Sequence, residues 1–190
     1  MKDTSIRKAT IADSEIIARC VLAAIDLLDI DDDIPTEMQD SVSDLIRSAS
    51  DDSRLYCYQH SYIAEYNGKA IGSLIAYNGG NYAQLRKNTF DRLYEKSGLD
   101  LRNNPMETVP GEFYLDCMAI HKDYRGIGIG HQLMSFAIEQ GKSQGIKTFT
   151  LLVEKSHTRL KEYYAQLGFM PIGEMFAFGS NYVKMKMEIE

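Results

Sequence analysis

The residue types with the clearest chemical meaning stand in the segment Arg125-Gly126-Ile127-Gly128-Ile129-Gly130. Glycine at alternate positions lets the backbone approach a ligand closely and turn its amide N–H groups toward it. The apolar periodicity after Gly130 predicts a helix, whose N-terminal end carries a partial positive charge. Amides and charge together suit a phosphate group, so the segment predicts a site for a phosphorylated cofactor.

Two well-known phosphate loops do not match this segment. A P-loop requires GxxxxGK followed by Ser or Thr, and the chain contains no such run. A dinucleotide-binding fold requires GxGxxG directly after a strand, whereas here the spacing is GxGxG and His121–Arg125 separates it from the apolar run Phe113–Ile120. Glu154, after the next strand-like run, imitates a ribose-binding acid, so a nicotinamide cofactor stays as an alternative.

Two motifs taken together resemble the GNAT superfamily of N-acyltransferases. The acyl-CoA loop of that family has Arg or Gln, two residues, Gly, one residue, then Gly or Ala, and Arg125, Gly128 and Gly130 occupy those positions. Downstream, Tyr164-Ala165-Gln166-Leu167-Gly168-Phe169 resembles the family's YxxxGF motif. The motifs occur in the family's order, and the resemblance covers roughly Phe113–Phe169.

The resemblance implies acetyl-CoA as co-substrate and assigns residues to hold it. A strand backbone would pair with the pantetheine arm, and loop amides with a nearby arginine would hold the pyrophosphate. The implied cofactor-binding residues are Met118, Ala119, Ile120, Arg125, Gly126, Ile127, Gly128, Ile129, Gly130, His131 and His157. The chain departs from the family pattern at Lys122, where Pro is frequent, and at His157 and Leu160, where Asn and Ala are frequent.

Acetyl transfer from a thioester to an amine needs a proton donor for the departing thiolate. Tyr164 stands where the family places its general acid. A phenol with a pKa of about 10 can protonate a thiolate whose conjugate acid lies near about 8.5. The alternative is that Tyr164, like Tyr163, is a core aromatic of an amphipathic helix.

The same reaction needs a base, because an alkyl amine is almost fully protonated at neutral pH. Glu112 and Asp116 are the predicted candidates, since period-2 geometry places them on one face of the strand with Met118. The alternative for each acid is an ion pair or a hydrogen bond to a nearby loop. His121 and His157 are weaker candidates, more typical of structural histidines.

An acidic loop follows the first predicted helix at the place where the family borders its acceptor site. Its aspartates are Asp26, Asp29, Asp31, Asp32 and Asp33. A carboxylate cluster there would attract an amine cation, and we expect Asp29, Asp32 and Tyr82 to bind the acceptor. The alternative is a solvated loop that favours the next helix start. No metal is expected, because Ile34 and Asp40 stand where a calcium-binding loop requires Gly and Glu.

Composition limits the class of protein. The 190 residues are most simply one domain, with 44% hydrophobic and 25% charged residues. A balance of 21 basic and 27 acidic residues gives a net charge of −6, which does not suit nucleic-acid binding. Cys20, Cys57 and Cys117 are expected to be buried thiols. No segment suits a membrane, and the start Met1-Lys2-Asp3 has no signal-peptide core, so we expect a cytoplasmic protein.

Hydrophobic periodicity predicts an α/β mixed sheet in the order β-α-α-β-β-(insert)-β-α-β-α-β-β, which is also the family's order. Leu55–Tyr66 and Lys69–Tyr77 are strand-like and joined by Asn67-Gly68, a hairpin signal. The insert at about 78–112 contains a predicted helix that ends near Gly98. We expect it to cap the substrate site, with a passive surface or a homodimer contact as the alternatives.

Two functions of different classes follow. The first is an N-acetyltransferase that moves an acetyl group from acetyl-CoA directly to a primary amine of a small molecule or peptide. The second is a non-catalytic acyl-CoA-binding regulatory domain. Tyr164 favours the enzyme, because cofactor binding alone requires no proton donor.

Overall fold

The structure is a computed structural model that describes residues 4–190, so the start Met1-Lys2-Asp3 lies outside the described residues. The elements follow the predicted order, with one helix inside the insert. The strands are β1 Thr4–Lys8, β2 Ser61–Tyr66, β3 Lys69–Asn78, β4 Glu112–Ile120, β5 Thr148–Glu154, β6 Met170–Ala177 and β7 Ser180–Glu188. The helices are α1 Ser14–Ala24, α2 Gln39–Ala49, α3 Tyr82–Ser97, α4 Ile129–Ser143 and α5 Thr158–Gln166.

Within the described residues the seven strands form one sheet, hydrogen-bonded in the order β1-β2-β3-β4-β5-β7-β6. β2 pairs antiparallel with both β1 and β3, and β7 pairs antiparallel with both β5 and β6. β4 and β5 are parallel. The predicted α/β mixed sheet is therefore confirmed. None of the helices between residues 4 and 190 is both long enough and apolar enough to cross a membrane.

The chain divides into two compact units, and the first comprises residues 4–76 together with Asp116–Gln140. In this unit α1 packs on α2, and the fully buried Cys20 of α1 donates its thiol to the Ser73 carbonyl in β3 (3.3 Å). Burial raises the pKa of the Cys20 thiol to about 12. All three cysteines are buried, as predicted, and form no disulfide among the described residues, so they serve as core residues.

Two neighbouring strands of the first unit approach each other unusually closely at Gly72 in β3. A Cβ at this position would lie 2.8 Å from the Ala119 carbonyl oxygen and 3.0 Å from the Ile120 side chain in β4. The His121 amide, directly after β4, donates to the Ile71 carbonyl (2.8 Å). The end of β4 is thus held firmly against β3, because any side chain at position 72 would have to displace backbone.

The second unit comprises Tyr77–Leu115 and Gly141–Glu190. Its core includes Phe113 of β4 and Phe149 of β5, whose ring centroids lie 5.8 Å apart. A Cβ at Gly141 would lie 2.5 Å from the Phe149 ring, so this glycine allows the chain to pass directly over the aromatic pair. In the insert, α3 ends at a left-handed Gly98 (φ 74°), which confirms the predicted helix and its end.

The β2–β3 hairpin forms at Asn67-Gly68 as predicted, with φ of 50° and 76° at the two residues. The strand predicted to begin at Leu55 was wrong in its first part, because β2 starts only at Ser61. A short 3-10 turn at Tyr58–His60 precedes it, while Leu55 is 1% exposed. Those apolar residues therefore serve core packing rather than strand pairing.

The first helix stops before the end of its apolar stripe. α1 ends at Ala24, after which Asp26 adopts a left-handed conformation (φ 54°). The amides of Asp26 and Leu27 bond back to the carbonyls of Ala23 and Leu22, which is the double closure of a Schellman motif. The helix end releases the acidic loop, with Leu27 60% exposed rather than on a buried helical face.

Candidate active site

The predicted site residues divide between the two units. The first unit holds a cleft of about 490 Å³. Its lining combines the end of β4 with the acidic loop after α1: Ala23, Asp26, Leu27, Leu28, Asp29, Asp32, Met118, Ala119, Ile120 and Arg125. Six of the residues predicted to bind cofactor or acceptor thus lie together: Asp29, Asp32, Met118, Ala119, Ile120 and Arg125.

β4 supplies one wall of this cleft. Its register with β5 runs from Glu112↔Thr148 to Leu115↔Leu151, while the strand itself continues to Ile120. The last five residues of β4, 116–120, therefore lie beyond the residues that pair with β5. Burial alternates along the strand, with Cys117 and Ala119 buried and Met118 and Ile120 only half-buried, as period-2 geometry requires.

The glycine segment forms a turn that opens α4. Gly126 and Gly128 have φ of 78° and 90°, a region that residues with a Cβ rarely adopt, although space for a Cβ is open at both. The Gly128 carbonyl accepts from the Gln132 amide (3.1 Å), which places Gly128 at the N-terminal boundary of the helix. α4 therefore begins at Ile129, and Gly130 belongs to its first turn rather than to the loop.

The first-turn amides of Ile129, Gly130 and His131 come before the first i→i−4 donor, the Gln132 amide, and so have no partner from the helix ladder itself. The predicted face of α4 is buried as expected, with Leu133 and Ala137 at 0% exposure. A well-packed helix thus presents its positive end directly after Arg125. This donor set, of backbone amides, a helix N-terminus and a guanidinium, fits the phosphates of an acyl-CoA.

Arg125 joins three parts of the first unit. Its Nε donates to the Ile120 carbonyl (2.7 Å), and its Nη2 forms an ion pair with the Asp29 carboxylate. Neither alternative for the acidic loop, amine attraction or plain solvation, included this contact. Sequence separation explains the omission, because the two charges lie 96 positions apart.

A second ion pair fixes the same acidic loop. Lys122 Nζ lies 3.0 Å from Asp31 Oδ2, and His121 Nε2 lies 3.7 Å from the same oxygen. The ammonium of Lys122 beside Asp31 holds the pKa of that carboxyl below its ordinary value. His121 also accepts from the Asp123 amide through Nδ1 (3.3 Å), so its contacts are those of a structural histidine.

In the second unit Glu112 lies in a polar cluster at the start of β4. Lys184 Nζ lies 2.9 Å from Glu112 Oε2, and the hydroxyls of Thr108 (2.8 Å) and Thr150 (3.1 Å) donate to the same oxygen. Burial alone would raise the pKa of Glu112, but these donors outweigh it and the pKa lies below its ordinary value. The ion-pair alternative for Glu112 is thus the one with support.

Tyr164 is 9% exposed on α5, with its ring 5.4 Å from Tyr163 and 6.2 Å from Phe169. The backbone amide of Phe169 donates to the Tyr164 carbonyl (3.0 Å), which ties the YxxxGF motif into one local unit. His157 is half exposed at the start of α5, 3.9 Å from Glu154. Both roles predicted for these residues stay predictions.

A buried cluster in the second unit was missed by sequence reasoning. Glu107 is 7% exposed and accepts hydroxyl donations from Tyr82 (2.9 Å) and Tyr114 (2.6 Å). Burial raises the pKa of the Glu107 carboxyl. Tyr82, predicted to bind the acceptor, is 0% exposed with its hydroxyl committed to Glu107, so in this structure it supports the insert rather than an open surface.

The chain matches a family model described as Acetyltransferase (GNAT) family over residues 25–169. No curated protein matches it. Among solved structures, an acetyltransferase is 27% identical with a TM-score of 0.77, covering 98% of this chain and 100% of that one. An N-acetyltransferase from Staphylococcus aureus Mu50 is 23% identical with a TM-score of 0.75, over 96% and 100%.

A third structure, a GNAT family acetyltransferase from Elizabethkingia anophelis with acetyl-CoA bound, is 16% identical with a TM-score of 0.57 and full coverage of both chains. The last two likenesses show the fold alone. Fold, loop and cleft define an enzyme of the acyltransferase class. With the family model covering most of its length, the chain belongs to the GNAT family of acetyltransferases, and acetyl-CoA is its co-substrate.

Replacing Gly128 tests the phosphate loop. Gly128→Ala puts a Cβ on left-handed backbone, at a cost of about 1–2 kcal/mol, and relaxation of the turn moves the helix-start amides. We expect the Kd for acetyl-CoA to rise about tenfold in calorimetric titration. Gly145→Ala is the matched control, because Gly145 has φ of 77° and open space but follows the C-terminal end of α4, whereas Gly128 stands at its N-terminal end. Equal weakening in both variants would contradict the assignment.

Glu112→Gln tests whether that carboxylate holds the fold. The change leaves Lys184 without its counter-charge, and we expect a loss of about 1–3 kcal/mol in the free energy of unfolding. Because the folded pKa lies below the unfolded one, this stabilisation is present at neutral pH and is lost as pH falls below about 4.5. Urea unfolding from pH 7 to pH 3 should show a flatter acid dependence in the variant.

Glu174→Gln is the control for that measurement, since Glu174 and its partner Lys155 are both more than half exposed. An exposed pair contributes less than about 1 kcal/mol, so we expect little change. Similar unfolding curves for the two variants would remove Glu112 from the structural role.

Proposed function

We propose that this enzyme is a cytoplasmic N-acetyltransferase, which moves the acetyl group of acetyl-CoA directly to a primary amine of a small molecule or peptide. The observation that carries the proposal is the cleft of the first unit. Its lining combines the end of β4 and Arg125 with three aspartates, Asp26, Asp29 and Asp32, and the glycine turn follows directly after Arg125 in the chain. The donors suit the phosphates, and the carboxylates suit a cationic acceptor.

The backbone of β4 supplies the electrophile-activating group in this proposal. Acetyl-CoA supplies an acetyl thioester, and of the two predicted amides that of Met118 donates to the carbonyl oxygen on which negative charge develops during attack, since the backbone of Ala119 hydrogen-bonds to the Cys20 thiol. The close packing of β3 at Gly72 against Ala119 and Ile120 supports this role, because it fixes the backbone of the end of β4 before any ligand binds. A preorganised donor costs no rearrangement during the reaction.

A base must take the proton of the ammonium acceptor, directly or through water. The contacts of Glu112 with Lys184 and two threonines engage its carboxylate and lower its pKa, which makes it a weaker base. Asp116 lies on the same β4 face as Met118, and Met118 lines the cleft. We therefore assign the base to Asp116 in preference to Glu112.

Protonation of the CoA thiolate is assigned to Tyr164. The assignment rests on the YxxxGF motif and on the chemistry of a phenol, which can protonate a thiolate because the two pKa values lie close together. Asp29 and Asp32 are assigned to the acceptor, and the half-exposed His157 to the cofactor. The insert at about 78–112 stays the proposed cap of the substrate site, and Tyr82 supports that insert through its hydrogen bond to Glu107. A homodimer stays a prediction for a measurement in solution.

Calorimetric titration of the purified protein with acetyl-CoA, with NADH as control, is the first test. Micromolar binding of acetyl-CoA alone is expected. A free-thiol assay with the primary amines spermidine and lysine, and with a peptide bearing a free N-terminus, then tests transfer. Amine-dependent release of CoA supports the proposal, and binding without release from any amine would contradict it.

Tyr164→Phe tests the general acid. Loss of the phenol proton should lower kcat by about 10²-fold with little change in the Kd for acetyl-CoA, because only the departure of the thiolate is affected. Tyr163→Phe is the matched control on the same helix. The Tyr163 hydroxyl is buried without a hydrogen-bond partner among the described residues, so its removal should leave kcat unchanged. Equal turnover in both variants would exclude Tyr164 from the mechanism.

A further inference from the structure

The ion pair between Arg125 and Asp29 opposes the binding of acyl-CoA, because it occupies the guanidinium that a phosphate would contact. Arg125 lines the cleft at the start of the glycine turn, and its guanidinium is the side-chain cation of the phosphate-binding set. In this structure that cation already has an anionic partner, the carboxylate of Asp29, which lines the same cleft. A phosphate arriving at Arg125 would stand beside a second negative charge.

The two ion pairs of the acidic loop differ in how easily they open. Asp31, paired with Lys122, has a side chain only 9% exposed. Asp29 and Arg125 have side chains 32% and 49% exposed, so water can replace either partner at small cost. Lys122 is itself 59% exposed, so the difference lies in the carboxylates: Asp31 is the more buried one and anchors the loop, and Asp29 is the more exposed one and is the easier to release.

Release of Asp29 does not free the Arg125 side chain as a whole. Its Nε still donates to the Ile120 carbonyl (2.7 Å), which keeps the guanidinium at the end of β4. The terminal nitrogen that Asp29 occupies can then take a phosphate oxygen with no large movement of the arginine. The Asp29 carboxylate has to leave the guanidinium; its Oδ1 also accepts from the Ile30 amide (2.8 Å), a contact within the loop that does not involve Arg125.

We propose that Asp29 is a built-in competitor for the phosphate of acyl-CoA at Arg125, and that it sets the affinity of the enzyme for its co-substrate. Cofactor phosphate and Asp29 exchange at the same guanidinium, and the loop remains attached through Asp31 during the exchange. The exchange leaves Asp29 unpaired in a cleft that also contains Asp26 and Asp32. This inference rests on the acyl-CoA part of the proposed function and not on the nature of the acceptor.

The test is the Kd of CoA itself, measured by titration calorimetry without an acceptor or turnover. Asp29→Asn keeps the size of the side chain and removes its charge, so we expect CoA to bind about two- to fivefold more tightly. Asp33→Asn is the matched control, because it removes the same charge from the same acidic loop at an exposed residue that does not line the cleft. Its Kd should change less than about twofold.

A double-mutant cycle assigns the effect to the guanidinium. Gln is the family's other residue at the position of Arg125, so Arg125→Gln is a conservative background. In that background Asp29→Asn should leave the Kd of CoA unchanged within about 1.5-fold. Thermal unfolding of each variant confirms that all of them are folded.

Weaker or unaltered binding in Asp29→Asn would overturn the inference, as would equal tightening in Asp33→Asn or tightening that persists without Arg125. These failures are separate from failure of the proposed function. Wild-type protein can acetylate an amine while Asp29→Asn binds CoA with unaltered Kd, which would overturn only the inference. Asp29→Asn can bind CoA more tightly while wild-type protein acetylates no amine, which would overturn only the proposed function.

Discussion

The guanidinium of Arg125 is the contact on which the cleft depends. It holds the last carbonyl of β4 through Nε and the acidic loop through Asp29, and the glycine turn begins at the next residue. The strand end is also held by β3 at Gly72, and the loop is also held by the pair of Lys122 and Asp31. One planar side chain with several donors therefore links a strand end, a loop and a helix start that each have a further anchor.

The same strand carries two kinds of constraint along its length. At its end, Gly72 allows β3 to press directly on Ala119 and Ile120, so backbone geometry is set by steric contact. At its beginning, Glu112 is set by charge, through Lys184 and two threonine hydroxyls. A buried carboxylate with all its donors in place resists movement, because any displacement leaves a buried charge unsatisfied. β4 is thus fixed at both ends.

Hydrogen bonds to buried polar side chains also explain why the insert is ordered. Glu107 would be costly to bury alone, yet it receives hydroxyl donations from Tyr82 on α3 and Tyr114 on β4. Arg86, 8% exposed, donates to the carbonyls of Arg102 and Asn104 in the segment after α3. A long connection that makes such contacts is an ordered part of the second unit. An acid in the sequence can therefore have a structural role, as Glu107 does, instead of a catalytic one.

Local patterns determined much of the protein from its sequence. The order of strands and helices, the Asn67-Gly68 turn, the end of α3 at Gly98 and the strand before the phosphate loop all follow from short-range periodicity and turn chemistry. The family and its co-substrate follow from the spacing of Arg125, Gly128 and Gly130 with the YxxxGF motif, because those residues act through backbone geometry that the sequence encodes locally.

Tertiary structure alone decided which charges meet. The pairs Asp29–Arg125 and Glu112–Lys184 join residues 96 and 72 positions apart, and Glu107 was indistinguishable from a surface acid until the fold buried it between two tyrosines. The sequence shows that a carboxylate is present but not which group lies beside it. The energy of an ion pair depends on the distance between the charges in space and not on their separation along the chain. Which aspartate serves cofactor, acceptor or fold is therefore a property of the folded molecule.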